Sequence, residues 1–348
     1  MSTKPHKNSH FSLFIVMSMI VITVLIVLKN NEWDVIWKTL LSLDGRWLWA
    51  AFMLWFGSAV VDALILQRLL KQNGYPIRTP FAVCVSIVGS FYSAITPGAS
   101  GGQPMQIYYL NQKKIPVGIS SSAITVRFVL SQTAIVIVTL FLWAGNSELI
   151  NTQLAGYQWL ILIGWLVHFA GVALILLATY CQSFLQRLAG VIILIGQKTR
   201  ILRNPESTRD KLNEWIASYR QSFLATRQHP SQVVLLTLLS AVSLLMTMAI
   251  VICIYQAFGL CEERWYDLLT IAYMLYLSAS YNPLPGASGA QEGGFLMYYQ
   301  GIFPKGQISL AMLVWRFFTY YLYLLAGALL SAAQSIAKFV HARCKRSG

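Results

Sequence analysis

Six apolar stretches, each of the length needed to cross a bilayer, succeed one another along this chain: Phe11 to Leu28, Trp47 to Ile65, Ile119 to Ala144, Tyr157 to Thr179, Val233 to Leu260 and Ile308 to Ala337. A hydrocarbon core of about 30 Å requires roughly 20 apolar residues in a helix, and a helix satisfies its own backbone where there is no water to do so. The runs therefore predict an all-α, polytopic membrane protein with about six full spans. Of 348 residues, 56% are hydrophobic and 11% charged, far from the roughly 25% charged residues of a soluble domain. No polar stretch is long enough for a separate globular unit, so residues 1–348 read as one membrane domain. The first run follows Lys4 and Lys7 but continues into Lys29, Asn30, Asn31 and Glu32 without a small-residue cleavage pattern, and it reads as an uncleaved anchor. Cys84, Cys181, Cys253, Cys261 and Cys344 are scattered, without paired spacing, and read as packing residues.

A net charge of +14 would suggest nucleic acid as partner of a soluble protein, but here the charge alternates by loop. Lys4 and Lys7, then Arg68, Lys71 and Arg78, then Lys338, Arg343, Lys345 and Arg346 mark cytoplasmic segments, so both termini are expected inside the cell membrane. The stretch Tyr180 to Gln232 is also basic and is expected to be a cytoplasmic connector, whereas Gly145 to Gly156 and Cys261 to Asp267 lack that excess and face outward. Within the connector, Leu185 to Ile195 and Leu212 to Leu224 are amphipathic. Two readings stand for them: helices lying on the anionic lipid surface, or solvated helices linking two halves of a bundle.

The most informative pattern is an internal repeat. Thr96-Pro97-Gly98-Ala99-Ser100-Gly101-Gly102-Gln103 recurs as Leu284-Pro285-Gly286-Ala287-Ser288-Gly289-Ala290-Gln291. At nearly the same offset Tyr108 and Tyr109 answer to Tyr298 and Tyr299, Pro116 and Gly118 to Pro304 and Gly306, and Arg127-Phe128 to Arg316-Phe317. The repeats cover about 80–144 and 268–337. Each motif ends an apolar run too short to span comfortably, Pro80 to Ile95 and Leu268 to Asn282, because proline and clustered glycines cannot continue a helix. Irregular backbone at membrane depth persists only where protein or water satisfies it, so the motifs should line a cavity. Two re-entrant hairpins follow, the first entering from the cytoplasm, with Lys113 and Lys114 at its exit, and the second from outside. The repeats are then inverted, an architecture that in transporters puts the substrate site at the breaks.

Arg127 and Arg316 lie inside long apolar helices, where each unpaired guanidinium costs at least roughly 2.5 kcal/mol. One reading is that they hold a phosphate or carboxylate of a substrate through the guanidinium fork. The other is that they tether carbonyls freed by the broken helices or reach the nearer interface. The amides and side chains of Gly98, Ser100, Gly101 and Gln103, and of Gly286, Ser288, Gly289 and Gln291, could form anion-binding concavities at half-helix ends. Glu292, beside the second break, and Asp62 could pair with an arginine, accept a cationic headgroup or carry a coupling proton. Tyr92, Tyr108, Tyr109, Tyr281, Tyr298 and Tyr299 read as packing or interface aromatics. His168 stands alone in an apolar helix, and neither a phosphate loop nor a metal-ligand cluster is present in the sequence. No enzyme, catalytic residue, cofactor or metal is expected.

SFYSAITPGASGGQP and SYNPLPGASGAQEGG, each followed by an arginine-bearing helix, resemble the transmembrane flippase-like domain of the lysylphosphatidylglycerol synthase family over nearly the whole chain. In that family the membrane domain is often joined to a cytoplasmic transferase that aminoacylates phosphatidylglycerol. The present sequence ends at Gly348 without one. The resemblance thus implies a stand-alone translocase and leaves open which lipid is carried; with the arginines it gives the expectation of a phosphate-bearing phospholipid, aminoacylated or not, and a separate lipid synthase is a candidate partner. Two other expectations remain: a secondary transporter of a small soluble anion, and a non-catalytic membrane partner of a lipid-modifying enzyme. Neither the oligomeric state nor the energy source is legible.

Overall fold

A computed structural model describes residues 33–181, 187, 190–191 and 205–344. The apolar run Phe11 to Leu28, the N-terminal lysines and most of Leu185 to Ile195 lie outside the described residues. The described chain is helical and contains no β-strand. A short helix, α1 (Trp33–Ser42), leads to α2 (Gly45–Gln72), whose start is capped by Asp44 accepting from the Arg46 amide at 2.9 Å. Then come α3 (Thr79–Ile95), opened by Pro80, and α4 (Gly102–Asn111). Next are α5 (Val117–Gly145), α6 (Ser147–Thr152), α7 (Gln158–Tyr180), α8 (Pro205–Arg227) and α9 (Pro230–Ala257). The last part holds α10 (Trp265–Ala279), α11 (Ala290–Tyr298), α12 (Ile308–Arg316), a π-helical turn at Phe317–Tyr321, and α13 (Leu322–Cys344).

Five segments are long and apolar enough to cross a membrane: Gly45–Gln72, Val117–Gly145, Ala155–Tyr180, Pro230–Ala257 and Ile308–Ala333. They coincide with five of the six runs read in the sequence. Their exposed faces carry Phe141, Leu166, Phe169, Leu238 and Leu329, as expected where lipid rather than water is the solvent.

Two apolar clusters occupy opposite ends of the bundle. At one end Leu69 and Leu70 of α2 pack with Val85 of α3, Leu110 of α4, Ile124 of α5 and Phe223 of α8. At the other, Trp55 of α2 packs with Tyr255 of α9, Tyr273 of α10 and Phe295 of α11. The Asp44 amide donates to the Ala257 carbonyl at 3.0 Å, so α2 begins where α9 ends and the two run antiparallel. The first PGASG motif thus hangs from helices rooted at one end, the second from helices rooted at the other.

Each motif separates two arms that fold back on each other. The Lys113 ammonium, past the end of α4, lies 5.4 Å from the centre of the Phe81 ring at the start of α3. The Tyr299 hydroxyl, just past α11, donates to the Leu268 carbonyl near the start of α10 at 2.9 Å.

The later amphipathic segment of the connector packs on protein along one face. On α8, Ile216, Tyr219 and Phe223 are buried, Trp215 Nε1 donates to Ser121 Oγ at 3.3 Å, and Arg220 Nε donates to the Thr179 carbonyl at 3.0 Å. The apolar stripe of Leu212 to Leu224 faces α5 and the end of α7. Gly118 permits that contact, since a side chain there would meet Ser218 and the Trp215 carbonyl.

Candidate functional site

The two breaks share one backbone. After Ile95 the chain passes through extended Thr96 into a single tight turn, Pro97–Ala99, with φ of +57° at Gly98 and +54° at Ala99. After α10 it makes the turn Pro285–Ala287, with +62° at Gly286 and +50° at Ala287. Proline brings no N–H to extend the preceding helix, and glycine enters the left-handed region without the Cβ clash. At Gly286 there is a second requirement, because a Cβ would overlap the edge of the Tyr320 ring. The two turns meet. The Gly98 amide donates to the Pro283 carbonyl at 2.8 Å, and the Tyr320 hydroxyl donates to the Ala94 carbonyl at 3.0 Å.

The amides expected to form anion-holding concavities are largely engaged within these turns. Ala99 and Ser100 donate to Thr96 and Pro97 carbonyls, Ala287 and Ser288 to those of Leu284 and Pro285. The Gly101 amide donates to the Thr96 hydroxyl at 2.8 Å, and the Gly289 amide to Glu292 Oε2 at 2.7 Å. The hydroxyls of Ser100 and Ser288 likewise donate to Pro97 and Pro285 carbonyls. A tight turn closes its own hydrogen bonds, which the repeated sequence alone does not reveal.

Around the meeting point lies a cavity of about 690 Å³. Its walls include Gly98, Ser100, Gln103, Gly286, Gln291, Arg127 and Arg316, but not Gly101, Ser288, Gly289, Glu292 or Asp62. Gln106, Ser93, Tyr276 and Asn282 also line it and were not anticipated. Gln106 had a signal in the sequence: it stands one turn after Gln103 on the same helix face.

The two arginines differ in what surrounds them. Arg316 is 4% exposed, and its Nε and Nη2 both lie 2.7 Å from Glu292 Oε1, while Nη2 also donates to the Gly286 carbonyl at 3.0 Å. Its guanidinium lies 4.8 Å from the centre of the Tyr320 ring. Glu292 thus balances Arg316 with one oxygen and caps α11 through Gly289 with the other. Arg127 donates from Nη1 to Ser86 Oγ at 3.2 Å and from Nη2 to Gln106 Oε1 at 2.9 Å. Both partners are neutral. No ion pair holds Arg127 among the described residues. Asp62, bonded to Ser243 Oγ at 2.9 Å, acts on it through space without a direct bond.

His168 is buried on α7, its ring nitrogens against Gln132 Oε1 and Ser280 Oγ, a polar tie between α5, α7 and the end of α10. Tyr109, Tyr298 and Tyr299 are buried packing residues, whereas Tyr108 is exposed. Among the described residues no group of three metal-capable side chains comes together.

Chemically, the site offers one guanidinium, held by hydrogen bonds to neutral side chains, on the wall of a largely apolar cavity at the junction of two broken helices. Such a group binds an oxyanion through paired charge-assisted hydrogen bonds. A protein of Archaeoglobus fulgidus named a UPF0104 membrane protein is 22% identical over 328 residues, covering 87% of this chain and 91% of the relative. Residues 11–327 match the family described as the lysylphosphatidylglycerol synthase TM region. With its membrane-spanning helices and nearly its whole length matched, the chain belongs to the lysylphosphatidylglycerol synthase transmembrane-region family.

Proposed function

We propose that this protein is a lipid translocase that passes the phosphate-bearing headgroup of a phospholipid through the cavity while the acyl chains stay in the bilayer. One observation carries the reading: Arg127 reaches the cavity wall with neutral hydrogen-bond partners only. A cation at membrane depth without a directly bonded counter-ion is costly, and an anionic headgroup offsets that cost. The family's description supports a phosphatidylglycerol-type cargo, aminoacylated or not. In this reading the termini are cytoplasmic, the cell membrane is the site of action, and the hairpins are inverted repeats that open the cavity to one leaflet at a time. A separate synthase supplies the lipid, and no step of the protein's own chemistry requires a cofactor.

The test is lipid movement in reconstituted vesicles, with anionic, zwitterionic and aminoacylated headgroups compared. Arg127→Lys is expected to slow movement about tenfold per folded molecule, since an ammonium cannot reproduce the fork, with little loss of melting temperature. Movement of a small soluble anion without any lipid would instead make the protein a secondary anion transporter.

A further inference from the structure

The two repeats place an arginine at corresponding positions but answer it differently. Arg316 faces a carboxylate, Glu292, at 2.7 Å. Arg127 faces a carboxamide, Gln106, at 2.9 Å. Gln106 is 5% exposed and reaches Arg127 from the returning arm of the first hairpin. Its place is built into the opposite arm: at Gly89 of α3 a side chain would occupy the position of the Gln106 amide nitrogen. Gly102 lets the arms close, because a Cβ there would strike Ser93 and the Gly89 carbonyl. The first repeat therefore contains a slot that admits glutamine, isosteric with glutamate, beside the guanidinium.

We propose that Gln106 is a specificity-determining positioning residue, which aims the Arg127 guanidinium into the cavity while leaving its charge available to an anionic headgroup. This rests on the lipid-translocase reading for the source of the anion but not for the anion seat itself. A glutamate at this position would reproduce the arrangement of the second repeat, pairing Arg127 internally and closing the seat. A neutral acceptor holds the guanidinium without competing for its charge.

The reasoning separates charge from hydrogen bonding. Were Gln106 only a structural acceptor, Gln106→Glu would keep the bond and Gln106→Met would lose it. If its neutrality matters, the order reverses: Gln106→Met retains most anion binding, and Gln106→Glu loses it.

The experiment measures the upward shift in melting temperature of the purified full chain in detergent with dihexanoyl phosphatidylglycerol and, separately, inorganic phosphate. Wild type is expected to shift with the lipid, and Gln106→Glu to bind about tenfold more weakly or worse, the worth of one charge-assisted hydrogen bond. Gln106→Met should fall only a few-fold, on the order of one neutral hydrogen bond. Binding of the lipid to Gln106→Glu should return as pH falls and the new carboxyl becomes neutral, whereas wild type should not show this rise. Gln106 meets the charge of Arg127 from α5 and, beyond it, Asp62 from α2, while α3, which carries no charged side chain, presents Ser86, Gly89 and Ser93. Wild type carries the same Asp62, so the difference isolates position 106. Ser86→Asp brings a carboxylate to the same guanidinium from α3 and should give the same loss if Gln106→Glu fails to fold. Equal lipid binding by wild type and the acidic variants, or no shift of wild type with either anion, overturns the proposal. A wild-type shift with phosphate alone, lost in Gln106→Glu, supports the seat and overturns the lipid reading.

Discussion

Glu292→Ala should be among the most destabilising single changes in this protein, and its cost follows from the geometry. Arg316 is 4% exposed and Glu292 12%, so removing the carboxylate leaves a buried guanidinium without its counter-ion, a change of about 3–5 kcal/mol. The Gly289 amide also loses its acceptor at 2.7 Å, adding about 1 kcal/mol. The total is roughly 4–6 kcal/mol, measured as denaturant unfolding in mixed micelles. Removing both charges in Glu292→Ala with Arg316→Met should cost less than Glu292→Ala alone, because no unpaired charge remains. Arg316→Lys should lose transport only in proportion to folded protein, in contrast with Arg127→Lys. A Glu292→Ala protein within about 1 kcal/mol of wild type, or a double variant whose loss equals the sum of the singles, would refute the assignment of Arg316 to the architecture of the second hairpin.

Impermeant labelling of cysteines introduced at Lys113 and Lys305, in a background without native cysteines, should find the first cytoplasmic and the second external; both on one side would exclude inverted entry. Gly286→Ala should destabilise more than Gly98→Ala, because both positions have positive φ but only the former meets a side chain, the Tyr320 ring. The strain common to both is about 1–3 kcal/mol, and equal melting temperatures would contradict the packing. Asp44 is held below the ordinary carboxylate range by the Arg46 guanidinium and then by the Arg46 amide, so its charge stabilises the fold above the unfolded pKa of about 3.9 and ceases to as pH falls through the lower folded value. The advantage of wild type over Asp44→Asn in melting temperature should therefore be full near pH 7 and vanish in strong acid; a gap that persists there would contradict the linkage.

Much of this fold was readable because lipid simplifies the code. Apolar length located five spans, and proline with glycine located both interruptions, since a helix cannot pass Pro97 or Pro285 unaltered. The arginines stood out as charges in apolar runs. What separates Arg127 from Arg316 was not readable, because it depends on residues brought together by folding back: Gln106 reaches Arg127 only when α4 returns along α3. The engagement of the motif amides was hidden for a related reason, since the Gly98 amide finds its acceptor in the other repeat, at Pro283. Likewise the amphipathic pattern of Leu212 to Leu224 identified a helix with one apolar face, but not whether protein or lipid covers it. Tyr219 and Phe223 place that face against protein.

The contact between the first break and the second repeat has a consequence for how such a molecule can diversify. Of the four atoms in its two hydrogen bonds, those of Gly98, Pro283 and Ala94 belong to the main chain, and Tyr320 alone contributes a side chain. Substitution of neighbouring residues leaves main-chain donors and acceptors in place, so the joint is inherited with the backbone rather than with any particular lining. Apart from Tyr320, the side chains facing the cavity can change while the joint itself persists, and the same scaffold can be relined without being rebuilt.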